Sequence, residues 1–413
     1  MRTLALSFLL LSLATTHAAA EAVPVKMVPG VGIMRGGEPY FVKGAAGDKH
    51  LDELAATGGN SFRTWTTNGL GPILDDAQKR GLTVCAGIWL EPECNWFSYS
   101  KPEHCVRQTE RVKKEVLQHR DHPALLFWGL GNETEGDGNN ADYWKQLEVL
   151  AKAVKEIDPA HPTFTAVAGL QPAKVAGLQA HTPSLDFVGI NTYGALHALR
   201  GYLAKAGWTR PWVVTEYGAR GFWESPRTSW DAPIEPTSGN KARDIRKGYE
   251  AAIKPAGDCW GGYVFLWGQK QEATSTWFGI FTENGEATAV LDLMHELWKG
   301  QPPSHRAPNL ESLTSDVAKK EIAADSEFTA KAEATDPEGD PLTYHWTVTP
   351  ESSGRDKNNR ERPTKPLIKC IIKTEGPSAT FRAPTKPGDY RVHILVTDTR
   401  KRAATGNIPI KVK

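Results

Sequence analysis

The chain has 413 residues, a formal net charge of +1 and no cluster of basic residues. This charge balance argues against nucleic acid as a partner, because proteins that bind nucleic acid usually carry a basic patch. After the N-terminal leader no stretch is apolar enough to cross a bilayer, so we expect no membrane insertion. The 14 tryptophans stand out, since this side chain is normally used for stacking or for filling a large core.

Residues 1–20 have the pattern of a secretory signal peptide. The single early cation, Arg2, precedes an apolar run over 4–13, and Ala18 and Ala20 have the spacing that signal peptidase requires. The apolar run is too short to serve as a transmembrane anchor. We therefore expect an exported mature protein, either secreted or periplasmic.

Residues 24–299 alternate short apolar runs with longer helical patterns. The strand candidates are 40–45, 61–65, 82–90, 124–133, 162–169, 186–194, 211–218 and 261–269. Segments with 3.6-residue periodicity separate them. Runs that are apolar on both faces are typical of buried parallel strands. Eight βα units in about 250 residues match the size of a (β/α)₈ barrel, the TIM-barrel fold, which we predict for this region.

Two of these strands end in a glutamate. "ALLFWGLGNE" places Asn132 and Glu133 at the end of the fourth strand, and "PWVVTEYG" places Glu216 at the end of the seventh. In a TIM barrel the C-terminal ends of the strands surround one cavity. The other strand ends carry Arg63 with Trp65, Asn191 with Tyr193, and Trp267. Two carboxylates among flat aromatic faces favour sugar cleavage, because glycoside hydrolysis uses a pair of carboxylates.

The motifs also resemble a known family. "GGNSFRTW", "FWGLGNE", "VVTEYGARG" and "FLWGQKQEATSTWFGIF" are similar to motifs of the retaining β-glycosidases that have (β/α)₈ barrels. They look most like the TIM-barrel domain of glycoside hydrolase family 2 and related β-glucanosyltransferase-like barrels. The resemblance covers about residues 40–299. Family 2 enzymes normally carry β-sandwich domains before the barrel, whereas about twenty mature residues precede the first strand here, so the family's substrate is not transferred.

The resemblance implies a role for each glutamate. Glu216 would attack the anomeric carbon and form a glycosyl ester, and Glu133 would protonate the leaving oxygen and later act as the base. The chemistry of retaining glycosidases requires both roles. The resemblance also implies that Asn132 hydrogen-bonds the sugar 2-hydroxyl. No cofactor is expected, and the twelve histidines lack a metal-ligand spacing, so no catalytic metal is expected.

Three further residues are implied to bind substrate or to support the nucleophile. Arg63 and Tyr193 would keep Glu216 ionised and oriented, and Trp267 would form the floor beneath the reacting sugar. Each has a simpler alternative. Arg63 could be a structural partner for any acid at the barrel mouth, and the two aromatic residues could be core packing.

Several loop residues stay open at this level. Some of the loop tryptophans are expected to line sugar subsites, but the sequence does not select among Trp89, Trp96, Trp223, Trp230 and Trp277. The loop acids Glu91, Glu135 and Glu272 are either subsite hydrogen-bonders or ordinary loop charges. The expected partner is a β-linked oligo- or polysaccharide, with β-glucan favoured. A catalytically silent carbohydrate-binding barrel and a wall-associated scaffold are the alternatives, and the oligomeric state stays open.

Five cysteines in an exported chain suggest disulfides. Cys94 and Cys105 flank a short segment in the loop after the third strand, and we predict that they pair. Such a bond would stabilise the fold by about 3 kcal/mol on the chain-entropy estimate. Cys85, inside a strand, is expected to be a buried thiol, while Cys259 and Cys370 are left unassigned.

The last hundred residues have a different pattern. Residues 300–316 are rich in proline and polar residues and indicate a linker or domain edge, so the barrel is expected to fold without the C-terminal region. Residues 317–413 alternate polar and apolar positions, which predicts a small antiparallel β-sandwich. Two phrases there, "DPEGDPLTYHW" and "PGDYRVHILVTD", resemble PKD-like and immunoglobulin-like modules. The acids Asp336, Glu338, Asp340 and Asp398 could bind calcium, although acidic turn residues are the favoured interpretation.

Overall fold

The computed structural model describes residues 21–28, 30–255, 257–352, 354–356 and 361–413, and the predicted signal peptide at 1–20 lies outside them. Eight parallel strands form a barrel: β4 (Val42–Ala46), β5 (Ser61–Arg63), β6 (Thr83–Ile88), β7 (Leu125–Asn132), β8 (Thr163–Ala168), β9 (Phe187–Asn191), β10 (Trp212–Gly218) and β11 (Cys259–Phe265). The barrel closes in the order β10-β11-β4-β5-β6-β7-β8-β9. All eight coincide with predicted strands, and the TIM barrel is confirmed.

Helices pack around the barrel: α1 (Leu51–Thr57), α2 (Leu70–Lys79), α3 (Pro102–His119), α4 (Ala141–Ile157), α5 (Pro172–His181), α6 (Leu199–Lys205), α7 (Ser238–Gly248) and α8 (Ala289–Lys299). Local sequence sets their ends. Helix α4, which follows β7, begins after Asn140, whose side chain accepts hydrogen bonds from the backbone of Asp142 and Tyr143. Within the described ranges, every helix is too short or too polar to span a bilayer.

A three-stranded antiparallel sheet closes one end of the barrel. It consists of β1 (Val25–Val28), β2 (Gly32–Arg35) and β3 (Glu38–Tyr40). Val25 N donates to Ala160 O at 2.8 Å, and Arg35 Nη2 donates to Pro123 O at 2.6 Å. Both carbonyls lie just before barrel strands, so this sheet covers the N-terminal end of the barrel. The C-terminal end, where the strand-end glutamates lie, is left open.

The C-terminal part is a sandwich of two sheets. One sheet has the order β13-β15-β18-β17, and the other has β16-β19-β20, with β14 on β20. Its strands are β13 (Asn309–Ser315), β14 (Glu321–Ile322), β15 (Glu327–Thr335), β16 (Thr343–Pro350), β17 (Ile371–Glu375), β18 (Ser378–Arg382), β19 (Gly388–Thr397) and β20 (Arg402–Val412). This is the strand order of a constant-type immunoglobulin sandwich. The resemblance to PKD modules stays a prediction.

The junction between barrel and sandwich is more extensive than a linker. Strand β13 begins at Asn309, inside the segment 300–316 that we interpreted as a linker or domain edge. A short strand, β12 (Ala287–Thr288), comes after the last barrel strand and pairs in parallel with the start of β20. The main chain of the barrel unit thereby extends a sheet of the sandwich.

The predicted disulfide between Cys94 and Cys105 is not formed. All five cysteines lie in the described part of the chain and are free thiols. Other contacts hold the loop after β6 instead: Cys94 exchanges backbone hydrogen bonds with Phe97, whose ring stacks on His104. Cys105 Sγ donates to the Tyr99 carbonyl at 3.4 Å. Because the loop is already closed by these contacts, it is ordered without a covalent link.

The acidic residues of the sandwich act as turn residues. Carboxylate oxygens of Asp336, Asp340 and Asp398 lie within 4.8 Å of one another. Asp336 accepts hydrogen bonds from two backbone amides of its own turn, and Asp398 does the same. Glu338 pairs with Arg306, outside this group. These contacts agree with the favoured interpretation of the four acids as turn residues.

Candidate active site

The backbone at the end of β7 turns sharply and presents Glu133 to the open end of the barrel. Gly131 has φ 80° and Glu133 has φ 51°, both in the left-handed region. A Cβ at Gly131 would lie 2.9 Å from Thr134 Oγ1, so only glycine fits. A left-handed glutamate is strained, and Glu133 N is held there by Ala166 O at 2.8 Å. The chain bends out of the sheet at this point, and the bend places the Glu133 carboxylate at the end of the buried strand β7.

Glu216, at the end of β10, is surrounded by three donors. Arg63 Nη1 and Trp65 Nε1 donate to its Oε1 at 2.7 and 2.8 Å. Tyr193 Oη donates to its Oε2 at 2.7 Å. The carboxylate is buried beside the guanidinium, which is itself 2 % exposed. Charge-assisted hydrogen bonds of this kind fix the orientation of a carboxylate.

Two asparagines connect the glutamates. Arg63 Nη2 donates to Asn132 Oδ1 at 2.7 Å, and Asn191 Nδ2 donates to the same oxygen at 3.1 Å. Asn191 Nδ2 also donates to Glu133 Oε1 at 2.7 Å. Thr215 Oγ1 donates to Asn191 Oδ1, which sets the orientation of this amide and directs its nitrogen towards Glu133. One continuous network thus joins both glutamates through Arg63.

The two glutamates do not share the same electrostatic setting. Desolvation, followed by the negative charge of Glu216, raises the pKa of Glu133, and the hydrogen bond from Asn191 and the charge of Arg63 offset this only in part. Glu133 is open to the barrel mouth, but surrounding protein removes much of the water from its carboxyl. Burial and the adjacent Glu216 also raise the pKa of Tyr193, so its hydroxyl stays a donor. A carboxyl group with a raised pKa beside a second carboxyl group that a guanidinium holds suits a general acid next to a nucleophile.

Aromatic rings line one side of the mouth. The ring of Phe265 lies 6.1 Å from Trp65 and 5.9 Å from Tyr193, measured between centroids. Tyr193 also contacts Trp223 at 5.6 Å and Phe278 at 5.4 Å. These five rings form an aromatic wall beside Glu216.

The expected floor residue, Trp267, is not part of that wall. It is fully buried, stacks on Trp298 and donates from Nε1 to the His50 carbonyl at 3.0 Å. Strand β11 ends at Phe265, four residues earlier than predicted. Phe265 instead contacts Trp65 and Tyr193, the two rings that donate to Glu216, and Trp267 belongs to the core between barrel and helices.

The structure separates the loop residues that the sequence left open. Trp89, Trp96 and Trp223 are 45 %, 67 % and 52 % exposed, whereas Trp277 is buried and Trp230 is half-buried. The three loop acids each have a partner: Glu91 binds Arg111, Glu135 binds Lys174 in a buried pair, and Glu272 binds Lys270. Only Lys270 and Glu272 among these pairs lie by the aromatic wall, with Lys270 Nζ 6.0 Å from the Phe265 ring.

Five of the residues that the sequence predicted for the site belong to this network: Glu133, Glu216, Arg63, Asn132 and Tyr193. The sequence did not indicate that Trp65 donates to Glu216 or that Asn191 donates to Glu133. Both stand at strand ends in the sequence, and that position was the available signal. Their partners depend on which side chains face each other across the barrel, which the linear sequence does not specify.

Part of the barrel is similar to a known protein family. Residues 69–226 match the family model described as "Glycosyl hydrolases family 2, TIM barrel domain". This match includes β7 and β10, and therefore both strand-end glutamates. It begins after β5, so it does not include Arg63.

Curated proteins and solved structures give the same type of match. The β-glucuronidase of Pongo abelii is 27 % identical over 199 residues, which cover 43 % of this chain and 29 % of the relative. Among solved structures, an uncultured Clostridium sp. β-glucuronidase has a TM-score of 0.54 and 17 % identity, with 68 % of this chain and 54 % of that chain covered. The GH2 β-galacturonidase from Eisenbergiella tayi bound to galacturonate has a TM-score of 0.53 and 16 % identity, with the same coverage.

The chain thus spans less than a third of the curated relative's length. At these identities the solved structures support the fold alone. The resemblance that the motifs indicated is confirmed: residues 69–226 match the TIM-barrel domain of family 2 glycosyl hydrolases, and the β-glucuronidase relative is similar over 199 residues.

Proposed function

We propose that this protein is a retaining β-glycoside hydrolase in which Glu216 is the nucleophile and Glu133 is the acid/base. One observation carries the proposal: a single hydrogen-bond network holds two strand-end carboxyl groups in different surroundings. Glu216 accepts from Arg63, Trp65 and Tyr193, whereas Asn191 is the one donor to Glu133 among the described residues, and the pKa of Glu133 is raised. The match of residues 69–226 to a glycosyl hydrolase barrel adds support.

The first step would transfer the sugar to the enzyme. Glu216 Oε2 or Oε1 attacks the anomeric carbon while Glu133 gives its proton to the departing oxygen, so one C–O bond forms as another breaks. Arg63 and Tyr193 orient the nucleophile through their hydrogen bonds to its two oxygens. Asn132, fixed by Arg63 and Asn191, is placed to hydrogen-bond a sugar hydroxyl next to the reacting centre.

The second step would release the sugar. Esterification removes the charge of Glu216, and with it one of the causes that raise the pKa of Glu133. Glu133 then acts as a base towards water or an acceptor sugar, which allows either hydrolysis or transglycosylation. Both steps invert the anomeric carbon, so the β configuration is retained.

We propose a β-linked oligo- or polysaccharide as the substrate, with β-glucan favoured. Exposed tryptophans support this choice. Trp89 and Trp96 come after β6, the third barrel strand, and Trp223 comes after β10, the seventh, which lies opposite β6 in the barrel. Flat aromatic faces on both sides of the catalytic pair suit sugar rings on both sides of the cleaved bond. The leader at 1–20 supports a secreted or periplasmic location.

A β-linked uronic acid is the second candidate substrate. The relatives described above are a β-glucuronidase and a β-galacturonidase by name. Lys270 lies over the edge of the aromatic wall, where an ammonium group could pair with the carboxylate of such a sugar. Lys270→Gln should then lower kcat/KM for an aryl β-glucuronide and leave an aryl β-glucoside unaffected. Lys205→Gln, on the distant helix α6, is the control.

A substrate panel tests the proposal. The purified mature protein is incubated with aryl β-glycosides, β-glucuronides, β-glucan, β-mannan and xylan oligosaccharides. Products are identified by mass, and their first anomer by proton NMR. We expect a β-configured product from at least one substrate, and products longer than the input if transfer occurs. An α-configured first product would contradict retention. No turnover on any substrate would favour the silent binding barrel or the scaffold.

A further inference from the structure

Two loops at the barrel mouth contact the sandwich. Loop 7, residues 219–237, comes after β10 and carries Trp223. Loop 8, residues 266–286, comes after β11 and carries Phe278. Both of these rings belong to the aromatic wall beside Glu216. The contacts of these loops with the sandwich therefore bear on the candidate active site.

The main contact is a buried carboxylate, Glu235, in loop 7. Its Oε1 accepts from Lys241 Nζ at 2.5 Å and from Thr276 Oγ1 at 2.9 Å. Its Oε2 accepts from Thr274 Oγ1 at 2.6 Å and from Asn407 Nδ2 at 2.5 Å. Asn407 lies on β20 of the sandwich, and both threonines lie in loop 8. One carboxylate thus binds loop 7, loop 8 and the sandwich together.

A second contact comes from Arg391 on β19, which is 1 % exposed. Its Nη2 donates to Pro233 O of loop 7 at 2.9 Å, and its Nη1 donates to Asn407 Oδ1 at 2.7 Å. Glu351 of the sandwich accepts from Nε and Nη2 and balances the charge. The guanidinium is planar and its donors have fixed directions, so these hydrogen bonds hold it in one orientation. Arg391 thereby orients the side-chain amide of Asn407, which donates to Glu235.

A third contact holds the tip of loop 8. Ala273 N donates to Glu361 Oε2 of the sandwich at 2.7 Å. Ala273 has φ 58°, a left-handed conformation that persists only where neighbouring structure fixes it. The adjacent Lys270 and Glu272 pair with each other beside the aromatic wall. The sandwich therefore supports the part of loop 8 that brings charged groups to the mouth.

The loops transmit these contacts to the catalytic centre. Trp277 Nε1 donates to Arg220 O at 2.8 Å, which joins loop 8 to loop 7. The next residue, Phe278, packs on Tyr193, and Tyr193 donates to Glu216 at 2.7 Å. A continuous series of packed or hydrogen-bonded groups leads from Asn407 of the sandwich to the carboxylate that we propose as the nucleophile.

From these contacts we infer that the sandwich is a working part of the active site: Asn407 and Arg391 are positioning residues that hold loops 7 and 8, and through them the aromatic wall that binds the sugar. The expected effect of the sandwich on catalysis rests on the proposed function, whereas its expected effect on loops 7 and 8 does not. The barrel is then not expected to work alone, because removal of the sandwich would leave Glu235 without Asn407 and expose the loop contacts. The sandwich thereby has a role other than that of a spacer.

The electrostatics of Glu235 agree with a permanent contact. Burial would raise the pKa of this carboxyl, but Lys241 and the hydroxyl of Thr274 more than offset burial and lower it to about 2. Glu235 stays ionised, and its four donors leave no position for a further ligand. The group therefore serves to join the loops and is not a second catalytic acid.

The test uses full-length variants and hydrogen exchange without substrate. Asn407→Ala removes one amide, and Arg391→Met removes the buried guanidinium. Arg382→Met is the matched control, because Arg382 forms an exposed pair with Glu327 on the other sheet of the sandwich. We expect faster exchange in 219–237 and 266–286 for the first two variants, unchanged exchange in β15 and β18, and no change in the control.

Kinetics on the best substrate complete the test. We expect Asn407→Ala to lower kcat/KM about ten- to a hundredfold, mainly through KM, because the wall that binds sugar is displaced. Equal exchange in both loops for wild type and Asn407→Ala would overturn the inference, as would normal kinetics with loosened loops. Faster exchange throughout the chain would show that the contacts hold only the fold. If the wild type proves inactive, the proposed function fails, and the exchange experiment still decides whether the sandwich holds the loops.

Discussion

Glu216 and Glu235 are two buried carboxylates of similar exposure, 5 % and 7 %, and each has a cationic partner. Glu235 accepts from four side chains, one of which is Asn407 of the sandwich. Glu216 lies at the mouth, next to a second glutamate whose pKa is raised. The difference shows that burial and ion pairing do not identify a catalytic carboxylate. The distinguishing features of Glu216 are its position at the end of a barrel strand and the neighbouring carboxyl group with a raised pKa.

The largest effect should come from Glu216→Ala. Without the group that forms the covalent intermediate, hydrolysis should fall by roughly four orders of magnitude or more, whatever the leaving group. Initial rates on aryl glycosides with good and poor leaving groups measure this, with a thermal melt to check folding. Azide should yield, if anything, the inverted α-product. Activity close to that of the wild type would exclude Glu216 as the nucleophile and remove the contrast with Glu235.

Glu133→Ala should fail in a different way. Proton assistance contributes about 10²- to 10⁴-fold, and it matters least for a leaving group that is already good. An activated aryl glycoside should therefore still give a burst, and a glycosyl ester on Glu216 should accumulate and be visible by intact mass. Azide should accelerate turnover and give the β-glycosyl azide. If instead Glu216→Ala shows the burst and the β-azide, the two roles are exchanged.

Asn191→Ala tests the asymmetry between the two active-site glutamates. The amide donates to Glu133 and stabilises its ionised form, so its removal should raise the pKa of Glu133 further. Because the first step needs Glu133 protonated, the basic limb of the kcat/KM profile should move to higher pH. Asn139→Ala, which removes an exposed loop amide, serves as the control. A basic limb that stays in place or moves to lower pH would contradict Glu133 as the acid.

Glu235→Gln should lower the stability of the protein and make it less dependent on pH. A carboxyl whose pKa falls from 4.5 to about 2 on folding stabilises the protein above pH 4.5 by about 3 kcal/mol, and this contribution is lost as the pH falls towards 2. The variant should unfold at lower urea concentration at pH 6, with a flatter dependence between pH 4.5 and 2. Nearby His393, whose pKa burial lowers to about 4, accounts for a separate loss between pH 6.5 and 4. Parallel stability curves for variant and wild type would contradict this linkage.

The sequence predicted the repeated features well and the isolated contacts poorly. The eight barrel strands were found because each is a short apolar run bounded by polar or turn residues, a local property. Glu133 and Glu216 were found because the fold places strand ends around one mouth. Trp267 was misplaced because β11 ends at Phe265, and this end depends on packing against loop 8. The Cys94–Cys105 bond was wrong because spacing alone does not show that other contacts close the loop.

The sequence by itself determined the barrel, the sandwich and the pair of glutamates, because periodicity and strand order follow from the chemistry of neighbouring residues. Tertiary structure alone decided the partners: Asn191 for Glu133, Trp65 for Glu216, and Asn407 for Glu235. These pairs lie 58, 151 and 172 positions apart in the chain. A hydrogen bond between such distant residues depends on how strands and loops from separate segments are brought face to face. The order of residues in the sequence does not specify that arrangement.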